Sequence, residues 1–174
     1  MEAFVRDHVE VRASKDHEVA PRDAGREPQK DNDLFFTCSL IEYIARKTKN
    51  HRADVVRALG PAAIEKIYEL ADVYHSENID DVADAFVEES GLGQGTFDNV
   101  AAARYIVPSH WDIGKVYKRL ILGIAREQGV DVMEALRRAY SSFVTEKIED
   151  YNSAFYYDAP QNILNAYLYN ELEP

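Results

Sequence analysis

The chain has 174 residues, 46% apolar and 29% charged, with 31 acidic against 20 basic residues for a net charge of −11. This is a globular composition, long enough for one ordinary domain or two small ones. The negative balance disfavours a broad nucleic-acid face, and no apolar run approaches the ~20 residues of a membrane span. Cys38 is the single cysteine, so no internal disulfide forms, and the opening residues lack the apolar stretch of a signal peptide. Together these favour a reducing cytoplasm.

Taken in chain order, residues 1–32 read as a flexible tail, dense in both charges and poor in large apolar residues. From Asn32, placed as an N-cap, Leu34, Cys38, Ile41 and Ala45 recur at helical spacing as far as Lys49 and Asn50. A short helix follows over Ala53–Leu59, stopped by Gly60, and Pro61 opens another through His75. Asp80–Glu89 is a fourth helix, with Val82, Ala85 and Phe86 facing inward. The run Gly91-Leu92-Gly93-Gln94-Gly95 fits neither a dinucleotide nor a P-loop spacing, and reads as a helix C-cap entering a linker. A connecting helix is expected over Phe97–Val107, then His110–Gln128 capped by Ser109 with Asp112. Asp131–Tyr140, Phe143–Phe155 and Pro160–Glu171 complete the chain, the last with Asp158 as N-cap. No convincing period-2 alternation occurs in the body, so the fold class expected is all-α.

The chain also resembles itself. Leu40-Ile41-Glu42-Tyr43-Ile44-Ala45-Arg46 lies over Leu120-Ile121-Leu122-Gly123-Ile124-Ala125-Arg126. Asp54–Leu59 lies over Asp131–Leu136, and Glu65-Lys66-Ile67 over Glu146-Lys147-Ile148. The blocks are collinear, and the changes in register fall between helices, where insertions are tolerated. The expectation is two tandem, internally duplicated four-helix modules packed together: residues 33–90 and 109–174, joined by a connector over 91–108.

The first module carries Leu34-Phe35-Phe36, Ile41-Glu42-Tyr43, the Asp54–Leu59 segment, and Tyr74-His75-Ser76 leading to Asn78-Ile79-Asp80-Asp81-Val82. On these residues it resembles a family of small bacterial helical domains of unknown function. Members are often encoded beside ADP-ribosyltransferase-like proteins, so the resemblance implies an antitoxin-like or regulatory partnership with a co-encoded, toxin-like enzyme. The second module departs from the pattern, with Tyr156 where His75 stands and Gln161-Asn162 where Asp80-Asp81 stand.

No chemical motif stands out. Asp72 and His75 share a helical face as weak metal candidates, and Asp80, Asp84 and Glu88 form an acidic stripe; a solvated acidic face explains both better. Cys38 sits on the buried stripe as inert core, and the five histidines share no ligand spacing. Tyrosine is plentiful, and interfaces are enriched in it. The reading is a non-enzymatic protein-interaction module with no cofactor, binding a partner through an acidic, Tyr-bearing helical surface. The partner-binding candidates are His75, Asp80, Asp81, Asp84, Trp111, Tyr156, Tyr157 and Tyr169. One alternative is a nucleic-acid regulator, with a helix-turn-helix-like element over Asp131–Phe155 and Arg137, Arg138 and Lys147 near phosphates. The other is a metal-binding or enzymatic bundle around Asp72, His75 and Asp80.

Overall fold

The computed structural model describes residues 28–170, all helix, turn and loop, with no strand among them. The chain divides into units of residues 1–32 and 33–174, and the core belongs to the second. The helices are α1 (Gln29–Thr48), α2 (Arg52–Glu69), α3 (Ala71–His75), α4 (Ile79–Ser90), α5 (Asn99–Ala102), α6 (His110–Gln128), α7 (Val132–Tyr140), α8 (Phe143–Ile148) and α9 (Pro160–Tyr169). Two 3₁₀ turns, Tyr151–Ser153 and Phe155–Tyr157, lie between α8 and α9.

Helix α1 is buried on nearly every side from Asp33 to Ala45. The apolar stripe holds, but Phe36, Thr37, Ser39 and Glu42 are buried as well. The hydroxyls survive burial by bonding back along the helix. Thr37, Ser39 and Thr48 each donate to the carbonyl four residues earlier, at 2.8 Å. Ser39 also meets Gly114 of α6 so closely that a Cβ at Gly114 would stand 2.0 Å from the Ser39 Oγ. The two helices therefore cross almost backbone to backbone.

Several sequence expectations need correction. Helix α1 begins at Gln29, with the Pro28 carbonyl accepting from Asp31 and Asn32, so Asn32 lies inside the helix and is not its cap. Residues 1–27 of the expected tail lie outside the described residues. Ala85 is exposed and Ala83 takes the inward place. The connecting helix over 97–107 shrinks to the four residues of α5. The helix over 143–155 ends at Ile148, because Asp150 turns extended (φ −87°, ψ 91°), and Ala154, with a left-handed φ of 64°, then separates two 3₁₀ turns. Ala159, not Asp158, caps α9; the Asp158 carboxylate instead accepts from the Ala159 N–H and the Asn162 amide.

Other signals hold. Gly60 breaks α2 with φ 80° and ψ 163°, and Pro61 restarts it. Ser109 and Asp112 form the capping box of α6, and Gly91 and Gly129 end α4 and α6 in the left-handed region. Gly95 has a different task. Its N–H donates to the Thr48 carbonyl at 2.7 Å, and a Cβ there would lie 2.3 Å from the Lys49 oxygen. Only glycine lets the linker strap onto the end of α1. One hydrophobic cluster runs through both halves, from Leu34 to Ala166.

Candidate functional site

At the centre lies a polar network that sequence reasoning missed. Arg52, fully buried at the start of α2, donates from Nε to Glu42 Oε1 at 2.9 Å and from Nη2 to Oε2 at 2.6 Å. Arg46 donates to the same carboxylate at 3.0 Å, and the Tyr151 hydroxyl adds a short hydrogen bond to it. Arg46 also reaches the Pro108 carbonyl at 2.7 Å. Glu149, ending α8, accepts the Arg52 backbone N–H at 3.1 Å and lies 2.7 Å from His51 Nδ1. Asn99 donates to the Glu149 carbonyl, and His51 stacks on Phe97 at 3.8 Å.

The electrostatics follow from that geometry. Burial alone would raise the Glu42 pKa, but Arg52, Arg46 and Tyr151 overcome it and hold the carboxyl down at about 2. Burial beside Glu42 raises the Tyr151 phenol. The network ties α1, α2, the connector and the α8 end together through paired charges, and of its members the His51 imidazole is the one half open to solvent.

The sequence-predicted site residues do not converge on one place. Asp80 and Asp84 are bound to the Lys47 ammonium at 2.7 and 2.6 Å, and Tyr43 donates to Asp80 at 2.7 Å. Hydrogen bonds from Lys47 and then Tyr43 lower the Asp80 pKa. Two of the three stripe acids thus pin α4 to α1, while the neighbouring Asp81 remains exposed. His75 is exposed and leans on Phe36 and Trp111, with ring centroids 5.2 and 5.7 Å apart. Trp111 is half-buried against Phe35, Phe36 and His110, a seam between α1, α3 and α6. Burial, then the nearby Arg46 charge, lowers the His110 pKa. Tyr156 is half-buried edge-on to Tyr151, whereas Tyr157 and Tyr169 are exposed. Among the described residues no group of three His, Cys, Asp or Glu side chains could hold a metal, Asp72 and His75 included. Burial pushes the Cys38 thiol up to about 12, so it stays protonated core. No described helix is long and apolar enough to cross a membrane.

A groove of about 800 Å³ opens between α2 and α7. Val56, Ile64, Met133 and Leu136 give it an apolar floor, and Tyr68 and Tyr140 add aromatic walls. Its rim carries Glu65, Asp131 and Glu134 beside Arg57 and Arg137. Both arginines already bond acids one turn away: Arg57 to Asp54, and Arg137 to Glu134. Arg138 shares Glu134, so the basic patch expected to face phosphates is largely neutralised. The break at Gly60 lies on the groove and shapes one wall. Sequence reading could not find the groove, because helix periodicity marks which residues turn inward but not where two inward faces fail to close.

No protein-family model, curated protein or solved structure matches this chain.

Proposed function

We propose that this chain is a protein-interaction module whose α2–α7 groove receives an amphipathic helix from a partner protein. The groove itself carries the reading. Its volume and apolar floor suit an apolar helix face, and Tyr68 with the mixed rim of Glu65, Asp131, Arg57 and Arg137 can bind the polar edge of such a helix. The net charge of −11 would steer a basic partner toward it. On the family resemblance, that partner is a co-encoded, toxin-like enzyme, and binding acts by occlusion.

The duplication belongs to the same proposal. Asp54–Leu59 and Asp131–Leu136 are the matched segments of the repeat, and the groove runs between them, with Val56 and its counterpart Met133 both on the floor. A pair of equivalent helices facing each other is where two packed copies of one unit would leave a shared cleft.

The test is an affinity capture of the tagged full chain from its own cells, beside the variant Met133→Arg and a nuclease-treated sample. Met133 is half-buried on the floor, so arginine fills the groove without entering the core. A stoichiometric protein that survives nuclease and is lost with Met133→Arg is the expected result. A protein held equally by the variant, or recovery of nucleic acid with proteins lost on nuclease treatment, overturns the reading.

A further inference from the structure

A second surface, independent of the groove, carries its own complement. We propose that the face around Ile106 and Tyr157 pairs with the same face of a second copy of this chain about a two-fold axis.

The face joins a knob to a hole. Ile106 and Tyr157 are 88% and 82% exposed, the two most exposed large hydrophobic side chains among the described residues. Both border a cavity of about 330 Å³ floored by Val116, Leu120 and Ile163. Tyr105, next in the chain to Ile106, is also exposed. Water-facing apolar side chains beside an apolar hollow are a cost to a lone copy, and a contiguous patch of this kind marks an interaction site. Two-fold association requires a surface to match itself, residue i meeting j while j meets i. A projection and a cavity side by side meet that condition, because each copy's Ile106 can enter the other's hollow.

The charges on this face repeat the logic. Arg119 lines the cavity with no hydrogen-bond or ion-pair partner among the described residues. Asp158 lies beside Tyr157 on the same cavity; its Oδ1 accepts from the Ala159 N–H at 2.7 Å and from Asn162, which leaves Oδ2 open. Asp112 is held in the α6 capping box through the Ser109 N–H. Arg119 and Asp158 do not reach each other within one copy. Across a two-fold axis they meet twice, which gives the unpaired guanidinium its counter-charge.

A patch built on one small cavity lies at the low end of specific interfaces, so the dimer should be weak and exchange readily. Each copy carries a charge of −11, and that repulsion is screened by salt. Self-association should therefore strengthen with salt, whereas binding of a basic partner at the groove should weaken.

Sedimentation equilibrium on the full chain, from low salt to about 0.5 M NaCl, tests the proposal. The expected result is a monomer–dimer equilibrium that tightens with salt. Ile106→Asp and Tyr157→Asp should each leave only monomer, with far-UV circular dichroism and melting unchanged because both side chains point into water. Arg119→Asp should weaken the dimer by roughly ten-fold, and adding Asp158→Arg should restore it. If Asp158→Arg perturbs α9, Arg119→Asp against the charge-conserving control Arg119→Lys decides the pairing, lysine retaining most of the affinity. A monomer under all conditions overturns the proposal. So does a dimer indifferent to Ile106→Asp and Tyr157→Asp, or one unmoved by Arg119→Asp. Capture of a partner by the groove is untouched by any of these outcomes, since Ile106, Tyr157, Arg119 and Asp158 lie outside it.

Discussion

Arg52 grips Glu42 with two N–H···O bonds, of 2.9 and 2.6 Å, at a point where neither side chain touches solvent. Ten residues separate them in the chain, yet the pair is closed off by Tyr151 and Glu149 from the far end. The pair commits the molecule to one arrangement: each partner is tolerable in the core only while the other is present.

Removing one partner should therefore be severe. Glu42→Ala strands a buried guanidinium, and we expect a loss of about 3–5 kcal/mol in urea or thermal unfolding. Glu42→Gln, which keeps one acceptor but no charge, should fall short of that loss. Lys47→Ala is the contrast. It breaks two ion pairs, but all three groups are substantially exposed, and the change should stay below about 1 kcal/mol. A Lys47→Ala variant as unstable as Glu42→Ala would show that the α1–α4 contact, not the buried pair, holds the fold.

The same carboxylate sets the response to acid. The Glu42 pKa falls from 4.5 to about 2 on folding, so the unfolded chain binds the proton first. The stabilisation is complete above about pH 4.5 and drains away as the pH falls toward about 2. His110, lowered from 6.5 by burial, adds a smaller loss that starts below pH 6.5. Denaturant midpoints measured from pH 7 to pH 2 should decline in two stages. Glu42→Gln should shrink the lower stage, the Asp80, Asp98 and Glu134 carboxylates keeping the remainder, and leave the upper one in place.

Gly114→Ala tests the crossing of α1 and α6. The new methyl would stand 2.0 Å from the Ser39 Oγ and 2.9 Å from the Ser39 backbone nitrogen. Overpacking of this kind costs about 1–3 kcal/mol. Ser39→Ala in the same chain removes only the hydroxyl, so thermal melts should show partial rescue, the backbone contact remaining.

Gly60 and Gly129 separate strain from contact. Neither has any atom within 4 Å of a would-be Cβ. Gly129, with φ 65° and ψ 39°, sits in the left-handed region, where alanine costs about 1 kcal/mol. Gly60 has φ 80° and ψ 163°, a region almost confined to glycine, where another residue costs up to about 3 kcal/mol. Gly60→Ala should thus be the more damaging by denaturant midpoint, despite equal room. Because Gly60 borders the groove, the variant should also weaken partner capture, while Gly129→Ala should not.

Much of the helical framework was legible in the sequence because its signals are local. Gly60-Pro61, Ser109 with Asp112, Gly91 and Gly129 each fix a boundary through their own backbone chemistry. The failures came where a tertiary contact outbid a local preference. Residues 149–157 carry helix-compatible types, but Tyr151 is drawn into the Glu42 network and the backbone turns left-handed at Ala154. Asn32 has the chemistry of a cap, yet the fixed φ of Pro28 starts the helix a turn earlier. The polar core was invisible for a simpler reason. Glu42, Arg46 and Arg52 read as surface charges until the fold brings Glu149 and Tyr151 onto them. The acidic stripe misled in the opposite way, since Lys47 lies more than a full helix away in sequence from the Asp80 and Asp84 it binds.

The strap and the buried pair also constrain how the polypeptide is made. Glu149 and Tyr151, which seal the pair, leave the ribosome 97 residues after Arg52 and 109 residues after Glu42, respectively. Until then the nascent protein holds a charged pair that water must keep solvating, so its first helices can assemble only loosely. Full closure waits until Tyr151 has emerged, and a chain cut after the connector cannot complete its own interior.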